Sequence, residues 1–261
     1  MLPVMEDGED VAAEGPGIAP LKDGPKSWPR RRTVRRTRAA LQTALLFPGL
    51  NTFCHLTVID QERFGLLQGG AIFIANHTSA LDGAVMVEAL PPRYRNRSVV
   101  VAAADSIFKR KWEAALAEVA VNAFPIPRGG GARPYLDALK DLLRQRWSVV
   151  IFPEGRLSQT GAIGEFRKGA SVLAIDAGAP IVPAYIDGMY EVLPRFRRRP
   201  RRGTVKVTFG DPLVPEPQED YEALTARAEA ALRELAGEKG LQRDPGVPAG
   251  AGSAEGPNYW Y

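Results

Sequence analysis

Apolar positions in the middle of the chain form short continuous runs separated by stretches of helical periodicity. The pattern predicts strands at residues 56–59, 71–75, 98–103, 148–152 and 181–186, of which 71–75 and 148–152 are apolar enough to be buried, and an alternating run predicts a half-buried strand at 204–209. Helical stretches lie at residues 81–90, 108–121, 169–177 and 221–235, and Pro134 opens another helix. Strands that alternate with helices predict an α/β fold, a single domain with a largely parallel central sheet flanked by helices.

The two ends of the chain lack this periodicity. Residues 1–27 and 239–261 are rich in Gly and Pro, so we expect disordered tails on either side of a domain spanning residues 57–238. The first twenty residues hold five acids and no Lys or Arg, and they lack the charged-then-apolar order of a signal peptide.

Residues 28–56 combine a basic run with an apolar one. Six arginines lie between Arg30 and Arg38, and an apolar stretch over residues 39–56 follows them, interrupted by Pro48-Gly49. Arginines followed by amphipathic apolar residues are typical of a segment that lies in a membrane interface, and we expect a peripheral protein at the cytoplasmic face. The alternative is a helix docked on the protein's own core behind a solvated basic face.

Composition narrows the possible classes of protein. The chain has 261 residues, 45% hydrophobic and 25% charged, which suits a soluble globular protein with a substantial core. Its net charge is +4, and a second cluster of six arginines lies at residues 195–202. The arginines of the first cluster lack interleaved aromatics and no nucleic-acid-binding motif follows them, so we expect no nucleic-acid partner. The lone Cys54 excludes an internal disulfide, and no metal-ligand constellation is visible.

The candidate chemistry begins directly after the strand at residues 71–75. Asn76 and His77 follow that strand, Thr78 and Ser79 are candidate helix caps, and Asp82 falls in the first turn of the next helix. The spacing allows Asp82 to hold the imidazole of His77 in one tautomer, so that the histidine acts as a general base. A histidine simply packed at a strand-to-helix turn is the alternative interpretation of this short pattern.

Other polar residues follow further strands. Ligands of such folds bind beyond the carboxyl ends of the strands. Arg128 ends an extended, proline-containing segment at residues 122–128, and Glu154, Gly155 and Arg156 follow the strand at 148–152. Arginines suit a phosphate-bearing acceptor, because the guanidinium matches phosphate geometry. Arg128 as an ordinary surface residue, and an ion pair between Glu154 and Arg156, are the alternatives.

Four sequence blocks resemble the glycerolipid acyltransferase family, which includes 1-acylglycerol-3-phosphate acyltransferases. They are Asn76-His77-Thr-Ser-Ala-Leu-Asp82, Phe124-Pro-Ile-Pro-Arg128, Phe152-Pro-Glu-Gly155 and Ile181-Val-Pro183. The resemblance runs from about Leu56 to Leu213. It implies that His77 and Asp82 are catalytic and that Arg128, Glu154, Gly155 and Arg156 bind substrate.

The resemblance also implies the reaction. An acyl group would pass from acyl-CoA or acyl carrier protein directly to the hydroxyl of a membrane lipid, 1-acylglycerol 3-phosphate, giving phosphatidate without a cofactor or metal. Another alcohol acceptor or a non-catalytic membrane-binding module are the alternatives. The sequence leaves acyl chain length and oligomeric state open.

Two features depart from the family pattern. The family continues F-P-E-G-T-R-S, whereas this chain has Arg156 one place early and Leu157 in the usual arginine position. Family members often carry a phosphate-binding lysine after the third strand, and residues 102–108 contain none. Lys109, Lys111 and Lys168 are the candidates to replace it.

Overall fold

The structure is a computed structural model that describes residues 30–103, 118–127, 133–197 and 199–242. Its central feature is a seven-stranded sheet with the order β1-β7-β6-β2-β5-β3-β4, and every neighbouring pair is parallel except β6 and β7. The predicted α/β fold with a largely parallel sheet is therefore confirmed. The strands are β1 Cys54–Ile59, β2 Ile72–Ala75, β3 Ser98–Ala103, β4 Ala123–Ile126, β5 Ser148–Ile151, β6 Ile181–Asp187 and β7 Gly203–Phe209.

Helices cover both faces of the sheet. In the described residues they are α1 Arg32–Leu41, α2 Phe47–Asn51, α3 Asp82–Ala89, α4 Pro92–Arg95, α5 Arg133–Arg144, α6 Gly169–Ala177, α7 Met189–Val192 and α8 Tyr221–Ala236. Alternate residues of β2 enter different cores: Phe73 packs into the core that includes α3, while Ile72 and Ile74 pack into the core that includes α5, α6 and α8. Burial on both faces explains why β2 is continuously apolar.

The segment before β1 docks on the domain. The guanidinium of Arg38 in α1 donates to the carbonyl of Val119 at 2.9 Å, and the side-chain amide of Gln42, just after α1, donates to the carbonyl of Ala120 at 2.7 Å. Phe47 and Leu50 enter the core. These contacts are those of a helix docked on the protein's own core, which was the alternative interpretation of this segment. Leu41, Leu45 and Phe53 nevertheless remain exposed. Membrane contact by this segment stays a prediction.

Pro48 does not divide the segment into two pieces as the sequence suggested. A five-residue π-helical stretch over Gln42–Leu46 joins α1 to α2, and Pro48 lies at the start of α2. Proline is tolerated in the first turn of a helix, so Pro48 does not end the helical path. No helix in the described part of the chain combines the length and hydrophobicity needed to cross a bilayer.

The extended segment predicted at residues 122–128 forms strand β4 at the edge of the sheet. Pro125 is accommodated there because an edge strand leaves one side of its backbone unpaired. Residues 118–121, at the end of the predicted helix 108–121, are helical, and its earlier residues lie outside the described part of the chain. Arg128 also lies outside the described residues.

Both predicted domain boundaries fall inside ordered packing. Strand β1 begins at Cys54, three residues before the expected start at residue 57. At the other end, Gly237–Leu241 form a 3-10 turn, and Lys239 forms an ion pair with Asp187 at 2.6 Å. The predicted tail at 1–27 and residues 243–261 of the predicted tail at 239–261 lie outside the described residues.

Candidate active site

The candidate site lies at the carboxyl ends of β2, β5 and β6, which are neighbours in the sheet. The side chain of Asn76, the first residue after β2, donates to the carbonyl of Ile186 at 2.9 Å and accepts from its N–H at 2.8 Å. These two bonds continue the β2–β6 ladder beyond the last strand residue. The carbonyl of His77 in turn accepts the N–H of Ser158 at 2.7 Å. The loop that carries His77 is therefore held from both neighbouring strands.

His77 and Asp82 form the pair that their spacing predicts. Nδ1 of His77 lies 2.9 Å from Oδ2 of Asp82, and the same oxygen accepts the backbone N–H groups of Thr78 at 2.7 Å and Ser79 at 2.8 Å. Asp82 is the first residue of α3 and is fully buried. A carboxylate in the first turn of a helix is favoured by the helix dipole. Asp82, rather than Thr78 or Ser79, thus organises the turn, and the helix N-cap is Leu81.

The Nε2 edge of the His77 imidazole is available to react with a substrate. An ionised carboxylate only accepts hydrogen bonds, so the contact with Asp82 places the proton on Nδ1 and the lone pair on Nε2. The side chain of His77 is 22% exposed, and no described residue bonds to Nε2. The ring stacks on Phe152, with centroids 4.2 Å apart and an angle of 18° between the planes. An imidazole held in this tautomer and orientation can accept a proton from a hydroxyl.

Glu154 acts on the same loop through the backbone. Its Oε1 accepts the N–H of His77 at 2.9 Å, and its Oε2 accepts the N–H of Gly164 at 2.9 Å. A Cβ on Gly164 would come within 2.8 Å of Oε2, so only glycine allows this approach. Burial raises the pKa of Glu154 to about 7, against the opposing effects of these two N–H donors and of nearby Arg156.

The pKa of Glu154 makes a prediction about stability and pH. The folded chain binds more protons than the unfolded chain between pH values of about 4.5 and about 7, so the free energy of unfolding falls as pH rises through that window. We expect the shift to contribute a fall of about 3 kcal/mol in the natural chain and none in Glu154→Gln. Urea unfolding of both proteins at intervals between about pH 5 and about pH 8 measures the difference.

The comparison between the two proteins removes the contributions of other titrating groups. Glu154→Gln also replaces one acceptor oxygen with an NH₂ group, so its stability should be lower at the acid end of the range, where Glu154 of the natural chain is protonated, and the slope is the diagnostic quantity. Parallel pH profiles would show that Glu154 does not titrate between about pH 4.5 and pH 7 in the folded protein.

Two of the other predicted substrate-binding residues, Gly155 and Arg156, lie beside this carboxylate. Gly155 has φ +69°, and a Cβ there would meet Arg167 at 2.9 Å. Its N–H donates to the carbonyl of Phe152 at 3.0 Å, so that amide is engaged inside the turn. Arg156 is partly buried near Glu154. Lys168 forms an ion pair with Glu222, whereas Arg128, Lys109 and Lys111 lie outside the described residues.

Several contacts that shape the candidate site were not predicted from the sequence. The stacking of Phe152 on His77 and the donation from Gly164 to Glu154 depend on packing across a ten-residue loop, which no periodicity marks. Thr78, a candidate helix cap in the sequence, has a different environment: its Oγ1 and the second oxygen of Asp82 are buried without a hydrogen-bond partner in the described structure. For the stacking of Phe152, the available sequence signal was the position of Phe152-Pro153-Glu154 directly after a strand.

A small cleft opens beside the loop of His77. Its volume is about 140 Å³, and its lining includes Thr78, Gly161, Tyr185, Asp187 and Tyr190. Tyr190 is fixed by donation from its hydroxyl to the carbonyl of Gln159 at 2.8 Å. Because Thr78 directly follows His77, a molecule in this cleft lies next to the imidazole loop. In the described residues no group of three or more His, Cys, Asp or Glu is arranged to hold a metal ion.

Comparison with known proteins places this geometry in context. A family model described as Acyltransferase matches residues 55–187, just over half of the chain, and this range includes His77, Asp82 and Glu154. The chain is 28% identical over 164 residues to 1-acyl-sn-glycerol-3-phosphate acyltransferase alpha of Homo sapiens, covering 62% of this chain and 56% of that protein. It is 34% identical over 112 residues to 1-acyl-sn-glycerol-3-phosphate acyltransferase of Pseudomonas aeruginosa, covering 39% and 42%.

A solved structure has the same fold. The chain superposes on the 1-acyl-sn-glycerophosphate acyltransferase PlsC from Thermotoga maritima with a TM-score of 0.58 at 19% identity, covering 78% of this chain and 77% of that one. The matched region spans about half the length of the two relatives described above.

Proposed function

Because this chain belongs to the Acyltransferase family, we propose that it transfers a fatty acyl group from an acyl thioester to the hydroxyl of 1-acylglycerol 3-phosphate, giving phosphatidate. The observation that carries the proposal is the 2.9 Å contact between His77 Nδ1 and buried Asp82, which leaves Nε2 as a base at the carboxyl edge of the sheet. The names of the relatives support the choice of acceptor and of product class.

In the proposed reaction His77 is the general base. Nε2 removes the proton of the acceptor hydroxyl as its oxygen attacks the thioester carbonyl, and the C–S bond of the resulting tetrahedral intermediate then breaks. The imidazolium returns its proton to the leaving thiolate, so the products are an ester and a free thiol and His77 is regenerated. Asp82 stabilises the imidazolium while it exists. No covalent acyl-enzyme is needed, and the sole cysteine, Cys54, is buried on β1.

The other site residues have positioning and binding roles in this proposal. Glu154 holds the backbone of His77 and is a positioning residue, because both of its oxygens are engaged by N–H groups. Arg156 and Arg128 are the proposed ligands of the acceptor phosphate, which guanidinium groups bind through two parallel hydrogen bonds. The acyl donor is acyl-CoA or acyl carrier protein, and the reaction requires no cofactor or metal.

We also propose peripheral attachment at the cytoplasmic face of a membrane. The loop between α7 and β7 lies at the same sheet edge as His77, because β6 ends there and antiparallel β7 begins there. The described arginines of this loop have no carboxylate within ion-pair distance in the described structure, and Phe196 is 73% exposed between them. These arginines are Arg195, Arg197, Arg199, Arg201 and Arg202. Arginines around an exposed aromatic residue suit an anionic bilayer surface.

Sedimentation with anionic vesicles tests the attachment. We expect Phe196→Ser to reduce the bound fraction, because insertion of the ring contributes apolar burial that the serine lacks. Leu66→Ser is the matched control. Leu66 is 91% exposed and follows the carboxyl end of β1, which lies at the opposite edge of the sheet from the loop that carries Phe196. Equal binding of both variants and the natural chain would contradict a membrane contact by this loop.

An acceptor panel tests the proposed reaction. With labelled acyl-CoA as donor, we expect transfer to lysophosphatidate, and a kcat/KM for monoacylglycerol lower by about 10- to 100-fold, because charge-assisted bonds to phosphate contribute about 1.5–3 kcal/mol each. Glycerol 3-phosphate and other lysophospholipids complete the panel, and acyl carrier protein replaces CoA in a parallel series. Equal activity without a phosphate would contradict the proposed acceptor.

A further inference from the structure

A cleft lined by four arginines lies apart from the candidate active site. Its volume is about 360 Å³, and its lining residues are Arg32, Arg35 and Arg36 of α1 together with Arg97. Arg97 immediately precedes β3, and its carbonyl accepts the N–H of Ser148 at the start of β5. The cleft therefore forms where α1 meets the amino ends of β3 and β5.

This position separates the cleft from His77. His77 follows the carboxyl end of β2, which is parallel to β5, and β5 is parallel to β3. The six residues of β3 span about 20 Å at a rise of about 3.3 Å per residue. The arginines thus lie at the opposite edge of the sheet from the proposed reaction, so they do not serve the reacting atoms.

Four positive charges lie together in this cleft. None of the four arginines forms an ion pair with a carboxylate in the described structure. Burial lowers the pKa of Arg35, and repulsion from Arg97, Arg32 and Arg36 lowers it further. Mutual repulsion of this kind is relieved when an anion binds between the guanidinium groups.

Packing on one aromatic ring fixes two of the guanidinium groups. The guanidinium carbons of Arg35 and Arg97 lie 5.4 Å and 5.9 Å from the ring centroid of Trp147, within the range of a cation–π contact. Nε of Arg35 donates to the carbonyl of Asn96 at 3.1 Å. Nε of Arg97 is buried and has no acceptor in the described structure. Two guanidinium groups are thus oriented in advance, and one buried donor lacks a partner.

We propose that this cleft, lined by Arg32, Arg35, Arg36 and Arg97, binds a phosphate group. Planar guanidinium forks bind phosphate oxygens in pairs, and four forks around one cleft match a doubly charged phosphate monoester better than a monovalent halide. The group comes either from the headgroup of an anionic lipid or from a soluble phosphate. Both sources present the same oxygens to the cleft, so the experiment separates them.

Binding of inorganic phosphate at constant ionic strength tests the site. Calorimetry measures the affinity, and the cleft variants locate the binding. We expect saturable binding by the natural chain, weakened about 10-fold or more in Arg97→Gln and in Arg36→Gln. Arg31→Gln is the matched control, because Arg31 precedes α1 and carries the same charge but does not line the cleft. It should bind phosphate as the natural chain does.

Two results would overturn the proposal. One is the absence of saturable phosphate binding; the other is an equal loss in Arg31→Gln and in the two cleft variants, which would indicate diffuse surface charge. Arg36 is exposed and its replacement leaves the packing of Trp147 intact. Arg36→Gln therefore still tests the proposal if Arg97→Gln fails to fold.

Vesicles then identify the source of the phosphate. Vesicles containing phosphatidate are compared with vesicles that carry phosphatidylserine at equal charge. If the lipid headgroup is the natural ligand, Arg36→Gln loses the preference for phosphatidate and soluble phosphate competes with the vesicles. If a soluble phosphate is the ligand, the variant loses phosphate binding and its vesicle binding is unchanged. These readouts measure binding alone, so their outcome is independent of whether acyl transfer occurs.

Discussion

Replacement of His77 by alanine is expected to lower kcat for acyl transfer by about 10³-fold or more. In the proposed mechanism the hydroxyl of the acceptor is not nucleophilic until Nε2 removes its proton, and general-base catalysis contributes about 10² to 10⁴ in rate. A loss of 10³ corresponds to about 4 kcal/mol of transition-state stabilisation. The proton is transferred only in the transition state, so KM for lysophosphatidate should change little. Steady-state transfer of a labelled acyl group from acyl-CoA measures both constants.

The second histidine supplies a matched control for this experiment. His55 lies on the exposed side of β1, and His55→Ala should retain full activity. Circular dichroism and thermal unfolding of His77→Ala establish that the loss is chemical, since the substitution also removes a ring stacked on Phe152. Full activity in folded His77→Ala would contradict the assignment of His77 as base and leave the family's reaction without its proposed proton acceptor.

The sequence predicts those parts of the fold whose determinants are local. Strand β3 and helix α6 begin and end where expected, because each is a continuous apolar run between turn signals. Strand β1 is missed at its start, since polar, exposed His55 precedes the apolar run that begins at Leu56. Strand β7 pairs antiparallel with nearby β6 and parallel with β1, and the pairing with β1 joins residues more than a hundred positions apart, which no local pattern encodes.

In the candidate site, too, contacts between residues close in the sequence are predictable and contacts between distant residues are not. The contact between His77 and Asp82 follows from a five-residue spacing and a helix start, and the structure contains it. The hydrogen bond from Gly164 to Glu154 and the stacking of Phe152 on His77 depend on how a loop folds back. These contacts are therefore visible only in the structure. Arg97 belongs to an unremarkable turn in the sequence, and it lines an arginine cleft only because α1 docks beside Trp147. The catalytic and binding roles themselves stay predictions.

Asp82 performs two functions that substitution can separate. Its Oδ2 accepts two backbone N–H groups and the imidazole N–H, while its negative charge faces the imidazole that becomes protonated during the reaction. An asparagine whose amide oxygen occupies the Oδ2 position accepts the same three donors and carries no charge. An alanine leaves the N–H groups of Thr78 and Ser79 without this acceptor. The pair of variants therefore distinguishes the effect of charge from the effect of the loop's structure.

Asp82→Asn is expected to fold and to lose about 10²-fold or more in kcat. The imidazolium formed during attack is no longer opposed by an anion, and the asparagine NH₂ group is buried where Oδ1 has no partner, which costs about 1–3 kcal/mol of stability. Asp82→Ala should lose more stability than Asp82→Asn, since it also leaves two backbone N–H donors without an acceptor. Steady-state kinetics and urea unfolding of both variants measure the two effects. Unchanged turnover in Asp82→Asn would show that Asp82 organises the turn of His77 without assisting the chemistry.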